Sequence, residues 1–446
     1  MLGLCLGFFS HARAAAPSDF ETEEYFKSTG LDIINASTAY SKGYTGKGVT
    51  IGISDDPVNF ASPEFNTKQN SYQADSFFPP YIDENETEHN VTDSDYWQFM
   101  IHGTHVAGIS AASRNGVGMH GVAFDGELVS SAVLDRNGFS FRLSWADAFL
   151  DNPNIKIVNC SWGLEEYPLE KVAKNESIRD YVERFCRDED ENIVKIFKDI
   201  NSSLGKNELF VWAAGNAGYP MATLPYNLAH WYEGRAVATN GITVTALEDT
   251  KYLAKEEGRI RGFNILFRDS NGASFNEDGT LAAPGENIVS ANADYAITEN
   301  VDVDDFGTSM AGPHVAGAAA QVQQAFPYMT GKQIGDVLLS TANPQVSPRL
   351  GYIITVQYDN REEPYNIYYL DGVRRTEKQQ KEDLASYYRI REKTPEEIEK
   401  YLKYPIHDFY NVPMEALIGQ GVPDAGFTRG RHDKDWVCSV TVKRMW

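Results

Sequence analysis

The chain has 446 residues, 42% hydrophobic and 23% charged, which suits one large globular domain or two smaller ones and excludes a disordered or fibrous protein. Its formal charge of −23 argues against a nucleic-acid or anionic-membrane partner, because phosphate binding needs a cationic face and none stands out. After the first few residues, no run approaches the roughly 18 apolar residues of a membrane-spanning helix, so no membrane span is expected.

At the start, an apolar segment from Leu2 to Phe9 and small residues from Ala12 to Ala14 resemble the rear half of a secretory signal, without the basic residues that usually precede it. Residues 1–16 are read as a signal remnant, which predicts export. The four cysteines say little. Cys5 lies in the signal-like segment, Cys160 sits in an apolar strand pattern as a buried thiol, and pairing of Cys186 with Cys438 is left open.

Strand-like and helix-like patterns then alternate, the signature of an α/β fold with a mostly parallel sheet flanked by helices. Val49 to Ile53, after the turn TGKG, reads as a short buried strand. Ile155 to Cys160, Leu209 to Ala214 and Gly241 to Leu247 read as three more, with a charged helix predicted over Arg179 to Asn201. Gly312 to Phe326 is small and apolar at helical spacing and predicts a buried helix, and TGKQIGDVLLSTA predicts an amphipathic one. From Tyr352 the character changes: YIITVQYDN and YNIYYLDG suggest paired strands. TPEEIEKYLKY suggests a helix capped by Thr394, with Pro395 in its first turn and Glu397 as reciprocal cap. Residues 350–415 are expected to be an insertion at the edge of the fold.

Four stretches carry chemistry: ISDDPVNF at Ile53 to Phe60, HGTHVAG at His102 to Gly108, AAGNAG at Ala213 to Gly218 and GTSMAGPHVAG at Gly307 to Gly317. Taken singly, each suits a turn or a helix cap. His102 and His105 are spaced like a metal pair, but no further ligand motif accompanies them, and the metal assignment stays unknown. Together, the stretches supply what an activated serine needs. Ser309 at a glycine-flanked helix start is the nucleophile, and His102 is a base if a carboxylate holds its other ring nitrogen. Asp55 or Asp56 is that carboxylate, and the Asn216 amide can donate to a developing oxyanion.

The order Asp, His, Asn, Ser is that of the subtilisin arrangement. GKGVTIGISDDPVNFASPEF, HGTHVAG, VNCSWG, AAGNAG, LAAPGENI and GTSMAGPHVAG resemble the successive blocks of the subtilisin-like serine proteases, the subtilases. The resemblance implies a three-layer subtilisin-like fold and a serine endopeptidase. It also implies Asp55 as orienting acid, His102 as general base, Asn216 as oxyanion donor and Ser309 as nucleophile. Laid down so that Pro63-Glu64-Phe65 meets the family's Pro-Asp/Glu-Phe/Leu, the block selects Asp55 and puts Asp56 where relatives carry a small polar residue. His105 and His314 become packing residues.

The family's peptide cleft maps to Leu134, Asn137 and Gly138 on one side and Ser161, Trp162 and Gly163 on the other, with Ala213, Ala214 and Gly215 as pocket wall. Protein or peptide substrates are the implied partners. The chemistry needs no cofactor; structural calcium is frequent in the family, and the acidic stretch Asp83 to Asp95 offers oxygen ligands without a fixed loop pattern. The segment from Ser28 to Val49 resembles autotransporter-type bacterial subtilases, which points to a secreted, surface or periplasmic protein. Residues 17–427 are taken as the catalytic domain and 428–446 as a tail, either of a free-standing enzyme or of a piece of a longer surface protein. The rival from another class is a non-catalytic peptide-binding module that keeps the fold, suggested by Asp56-Pro57 in place of the usual Asp-Ser/Thr-Gly.

Overall fold

A computed structural model of the chain describes residues 15–74, 81–82, 88–89, 100–133, 146–150, 152–163, 207–218, 222–223, 240–249, 253–256, 259–262, 266, 269–273, 276–298, 300–343, 350–356, 365–369, 376, 378–379, 381–382, 385, 389, 393–402, 406–413 and 418–425. The signal-like start up to residue 14, the charged stretch Arg179 to Asn201, and Cys5, Cys186 and Cys438 lie outside them.

Seven strands build the central sheet: β1 (Thr50–Asp55), β2 (Tyr72–Gln73), β3 (Glu127–Ala132), β4 (Ile155–Cys160), β5 (Leu209–Ala213), β6 (Gly241–Leu247) and β7 (Thr280–Pro284). Their spatial order is β7-β6-β5-β4-β1-β3-β2, and every neighbouring pair runs parallel. Both faces of such a sheet are covered, so its strands lack the usual alternation of polar and apolar residues. All five residues of β5 and all seven of β6 are buried. The period of two still sorts the side chains. Ile51, Ile53, Ile157 and Val211 pack in one cluster, while Val158, Cys160, Phe210 and Trp212 join Phe149 in another.

The first cluster is closed by two helices, α1 (Ile101–Ala111) and α2 (Thr308–Ala325). The second of these is buried from Thr308 through Gln323, as a helix that is apolar nearly all round must be. It begins four residues before the Gly312 predicted from spacing, because Gly307-Thr308-Ser309 reads locally as a turn. A third helix, α3 (Gly331–Thr341), is capped by Thr330, whose hydroxyl accepts from the Gln333 N–H while the Gln333 side chain accepts from the Thr330 N–H. β3 and β7 are sheet strands that periodicity did not single out. Beside the sheet, β8 (Ile288–Ala291) pairs antiparallel with β9 (Asp302–Asp305).

Within the expected insertion, β10 (Leu350–Val356) pairs antiparallel with both β11 (Tyr365–Tyr369) and β12 (Ile406–Pro413). The helix α4 (Pro395–Tyr401) carries the expected cap: Thr394 Oγ1 accepts from the Glu397 N–H, and Glu397 Oε2 accepts from the Thr394 N–H at 2.8 Å. The chain is pinned on either side of this segment by one antiparallel bridge, in which Asn343 and Val422 exchange backbone hydrogen bonds.

Glu64 is fully buried in the one-turn 3-10 helix Pro63–Phe65. Its Oε1 accepts from the Met119 N–H at 3.2 Å, and its backbone oxygen accepts from the Ser113 N–H at 2.7 Å, so it ties the segment after β1 to the loop after α1. Burial, aided by the nearby Asp302 and Glu24 and opposed by the Met119 N–H and Lys27, pushes its carboxyl up to about 8. The folded state therefore holds a proton that the unfolded chain releases above the ordinary carboxyl range. Stability from this group is full at low pH and is lost as pH rises toward 8. Glu64→Gln, neutral at every pH, is expected to flatten the decline of melting temperature between pH 5 and 8. A decline as steep as in the wild type would assign it to other groups.

Candidate active site

The strand order reverses at β1, which has β3 on one side and β4 on the other, and ligands of open α/β sheets bind at the carboxyl ends of strands near such a point. Asp55 is the last residue of β1 and is 3% exposed. Its Oδ1 accepts from the Asp56 N–H at 2.8 Å and lies 2.6 Å from His102 Nδ1 in the first turn of α1. A carboxylate only accepts, so this contact places the proton on Nδ1 and leaves Nε2 as the basic nitrogen. The helix reaches the turn because residue 103 is glycine: a Cβ there would stand 2.0 Å from the Asp56 carbonyl oxygen.

Burial pulls the His102 pKa down, but the Asp55 carboxylate, its hydrogen bond, and the charges of Asp56 and Asp305 outweigh it and raise the group to about 9. The side chain keeps 36% of its surface open to solvent. Asp56 is itself pushed up to about 6, first by burial and then by repulsion from Asp55, with His102 opposing.

Ser309 is the second residue of α2, where the helix dipole favours negative charge. The cap before it is Gly307 at φ 130°, a backbone region that side chains disfavour. Four residues beyond Ser309 stands Pro313, which has no N–H to give to the Ser309 carbonyl. Ser161, just past β4, fills that vacancy: its Oγ donates to Ser309 O at 2.7 Å and accepts from Asn159 Nδ2 at 2.8 Å. The Ser309 hydroxyl in turn donates to the Ser161 carbonyl at 3.0 Å. Two reciprocal bonds thus fasten the helix start to the sheet edge.

Asn216 follows β5 and is exposed. Its Oδ1 accepts from the Thr308 N–H at 2.9 Å and the Thr308 hydroxyl at 3.0 Å, and Thr308 Oγ1 accepts from the Gly215 N–H at 3.0 Å. With Oδ1 engaged by two donors, Nδ2 is the end left to face a ligand.

The structure thus brings Asp55 to His102 and Asn216 and Ser161 to the start of α2. Ala213 and Ala214 are buried at the end of β5, and Gly163 is exposed. Trp162 donates from Nε1 to Ser54 Oγ at 3.2 Å and packs edge-on against Trp212, so much of its ring belongs to the sheet. Leu134, Asn137 and Gly138 lie outside the described residues, as do 83–87 and 90–95 of the acidic stretch. His105 and His314 are buried, with ring nitrogens near the carbonyls of Ile288 and Val303 and of Met310 and Thr29; burial lowers both to about 4. Cys160 is a buried free thiol.

Sequence reading passed over Thr308, Pro313 and Asn159 as working parts, although the first two stand inside GTSMAGPHVAG. Among the described residues the one set of three side chains close enough to share a metal ion is Asp55, Asp56 and His102. Within that set the Asp55 Oδ1 to His102 Nδ1 contact is a 2.6 Å hydrogen bond.

A model described as the subtilase family matches residues 46–368, well over half of the chain. The chain belongs to the subtilase family. This subtilase is 29% identical over 373 residues to an extracellular serine protease of Serratia marcescens, across 74% of its own length and 33% of the relative's. It thus spans about a third of that protein and of a second Serratia marcescens extracellular serine protease. It is 27% identical over 332 residues to subtilisin BL of Lederbergia lenta, covering 72% of this chain and 93% of the relative. A cold adapted subtilisin-like serine proteinase of known structure aligns at 25% identity over 68% of this subtilase and 85% of that chain, with a TM-score of 0.43.

Ser161→Ala leaves the Ser309 carbonyl, which Pro313 cannot serve, without its side-chain donor. It is expected to cost about 1–3 kcal/mol of stability and to slow covalent labelling of Ser309. Unchanged denaturation midpoint and labelling rate together would show that the start of α2 is held by other contacts.

Proposed function

We propose that this subtilase is an exported serine endopeptidase that cleaves peptide bonds through an acyl-enzyme. The observation that carries the proposal is the 2.6 Å contact from Asp55 Oδ1 to His102 Nδ1, which orients the ring as a general base requires. Rotation of Ser309 about χ1, from the Ser161 carbonyl toward His102 Nε2, sets up attack. As Ser309 Oγ bonds to the substrate carbonyl carbon, His102 Nε2 takes its proton, and Asp55 stabilises the imidazolium. The oxyanion is met by Asn216 Nδ2 and the Ser309 N–H. His102 then gives the proton to the departing amine, and water, activated by the same nitrogen, releases the acid and restores Ser309.

Protein or peptide substrates enter as a strand along Ser161 to Gly163. Export is supported by the signal-like start and by the extracellular relatives.

A fluorophosphonate probe read by intact mass tests the assignment. One adduct is expected on the wild type, none on Ser309→Ala, and far slower labelling on Asp55→Ala. Asn216→Ala should lower kcat by about 10²–10³, the cost of losing one oxyanion donor. Folded wild type that takes up no probe would favour the peptide-binding module.

A further inference from the structure

Three carboxylates act on one imidazole. Asp55 hydrogen-bonds His102 from the end of β1, Asp56 lies close to it in the turn that follows, and Asp305 adds its charge from the end of β9. On its own helix the nearest titratable neighbour is His105, kept neutral by burial. Asp56 adds a charge that the triad chemistry does not call for. Its carboxylate, that of Asp55 and a His102 ring nitrogen have donor atoms all within 4.8 Å of one another. Asp56 has little freedom to leave. The Asp56 carbonyl lies against Gly103 at the start of α1, its N–H is held by Asp55 Oδ1, and Pro57 fixes the next φ.

We propose that Asp56 is a positioning residue that acts through His102, holding the imidazolium form and moving upward the pH at which the base becomes available. The proposal rests on His102 being the general base. Unit charges at this separation, at the effective dielectric of about 20 near a protein surface, interact strongly enough to move a titration by about two pH units. The open third of the His102 surface reduces that to about one. Asp56 ionises at lower pH than His102 releases its proton, since burial and Asp55 push the first to about 6 while the combined carboxylates hold the second near 9. Between the two, the Asp56 carboxylate and the imidazolium coexist and Nε2 cannot accept a proton. Above the upper one, the base is free. The enzyme is therefore restrained at neutral pH and released in alkaline surroundings.

The test follows the His102 ring protons by NMR against pH in the Ser309→Ala protein, which cannot digest itself, with and without Asp56→Asn. In parallel, kcat/KM on a peptide ester is followed against pH for the corresponding proteins that retain Ser309. The midpoint is expected well above the ordinary histidine value and about one pH unit lower in Asp56→Asn. Asp56→Glu, which keeps the charge, should keep the high midpoint, and the acid limb of kcat/KM should move with the ring titration. A ring midpoint that shifts by less than about 0.3 pH unit in Asp56→Asn overturns the proposal. A ring midpoint that shifts while the rate profile stays put leaves the coupling standing and removes His102 as the base. If Asp56→Asn fails to fold, Asp56→Ser takes its place as the neutral variant.

Discussion

The site depends on one backbone group that its own helix cannot satisfy. Pro313 removes the N–H that would serve the Ser309 carbonyl, and a buried carbonyl without a partner is costly. Ser161, at the end of a different strand, supplies the donor, and Asn159 orients it. The register of α2 against the sheet is thus set by a specific hydrogen bond instead of by packing alone, which small residues such as the alanines of α2 would define only loosely. Thr308 does the same on the other side, bonding Asn216 through both its N–H and its hydroxyl.

Around that anchor the parallel sheet does the placing. The ends of β1, β4 and β5 are adjacent because the strand order turns at β1, so Asp55, Ser161 and Asn216 emerge side by side although they are far apart in sequence. The same burial that makes these strands stable makes any ionised group at their ends a strong electrostatic actor. Asp55 is nearly inaccessible, and its Oδ2 has no hydrogen-bond partner among the described residues, so His102 and the Asp56 N–H answer for most of its charge.

Ile155–Cys160 and Gly241–Leu247 were legible as strands because continuous burial leaves a continuous apolar run. β3 and β7 were not: serines dilute the first, alanines and a proline the second, and only their neighbours reveal that both faces are covered. The start of α4 could be read to the residue because capping by Thr394 and Glu397 is local chemistry, whereas the start of α2 has a glycine cap and no polar side chain to announce it. The family motifs singled out Asp55, His102, Asn216 and Ser309. The bond from Ser161 to Ser309 and the contact of the Asp56 carbonyl with Gly103 join segments distant in sequence, and no local pattern encodes them.

The bridge between Asn343 and Val422 has a consequence for how such a chain can vary. Because Asn343 and Val422 are hydrogen-bonded to each other, the stretch between them starts and finishes at neighbouring points of the core. Loop-closure entropy grows only slowly with length. That stretch can lengthen or shorten without altering the distance across which the core must be joined. The core and the stretch that carries β10, β11 and β12 can therefore diverge at different rates.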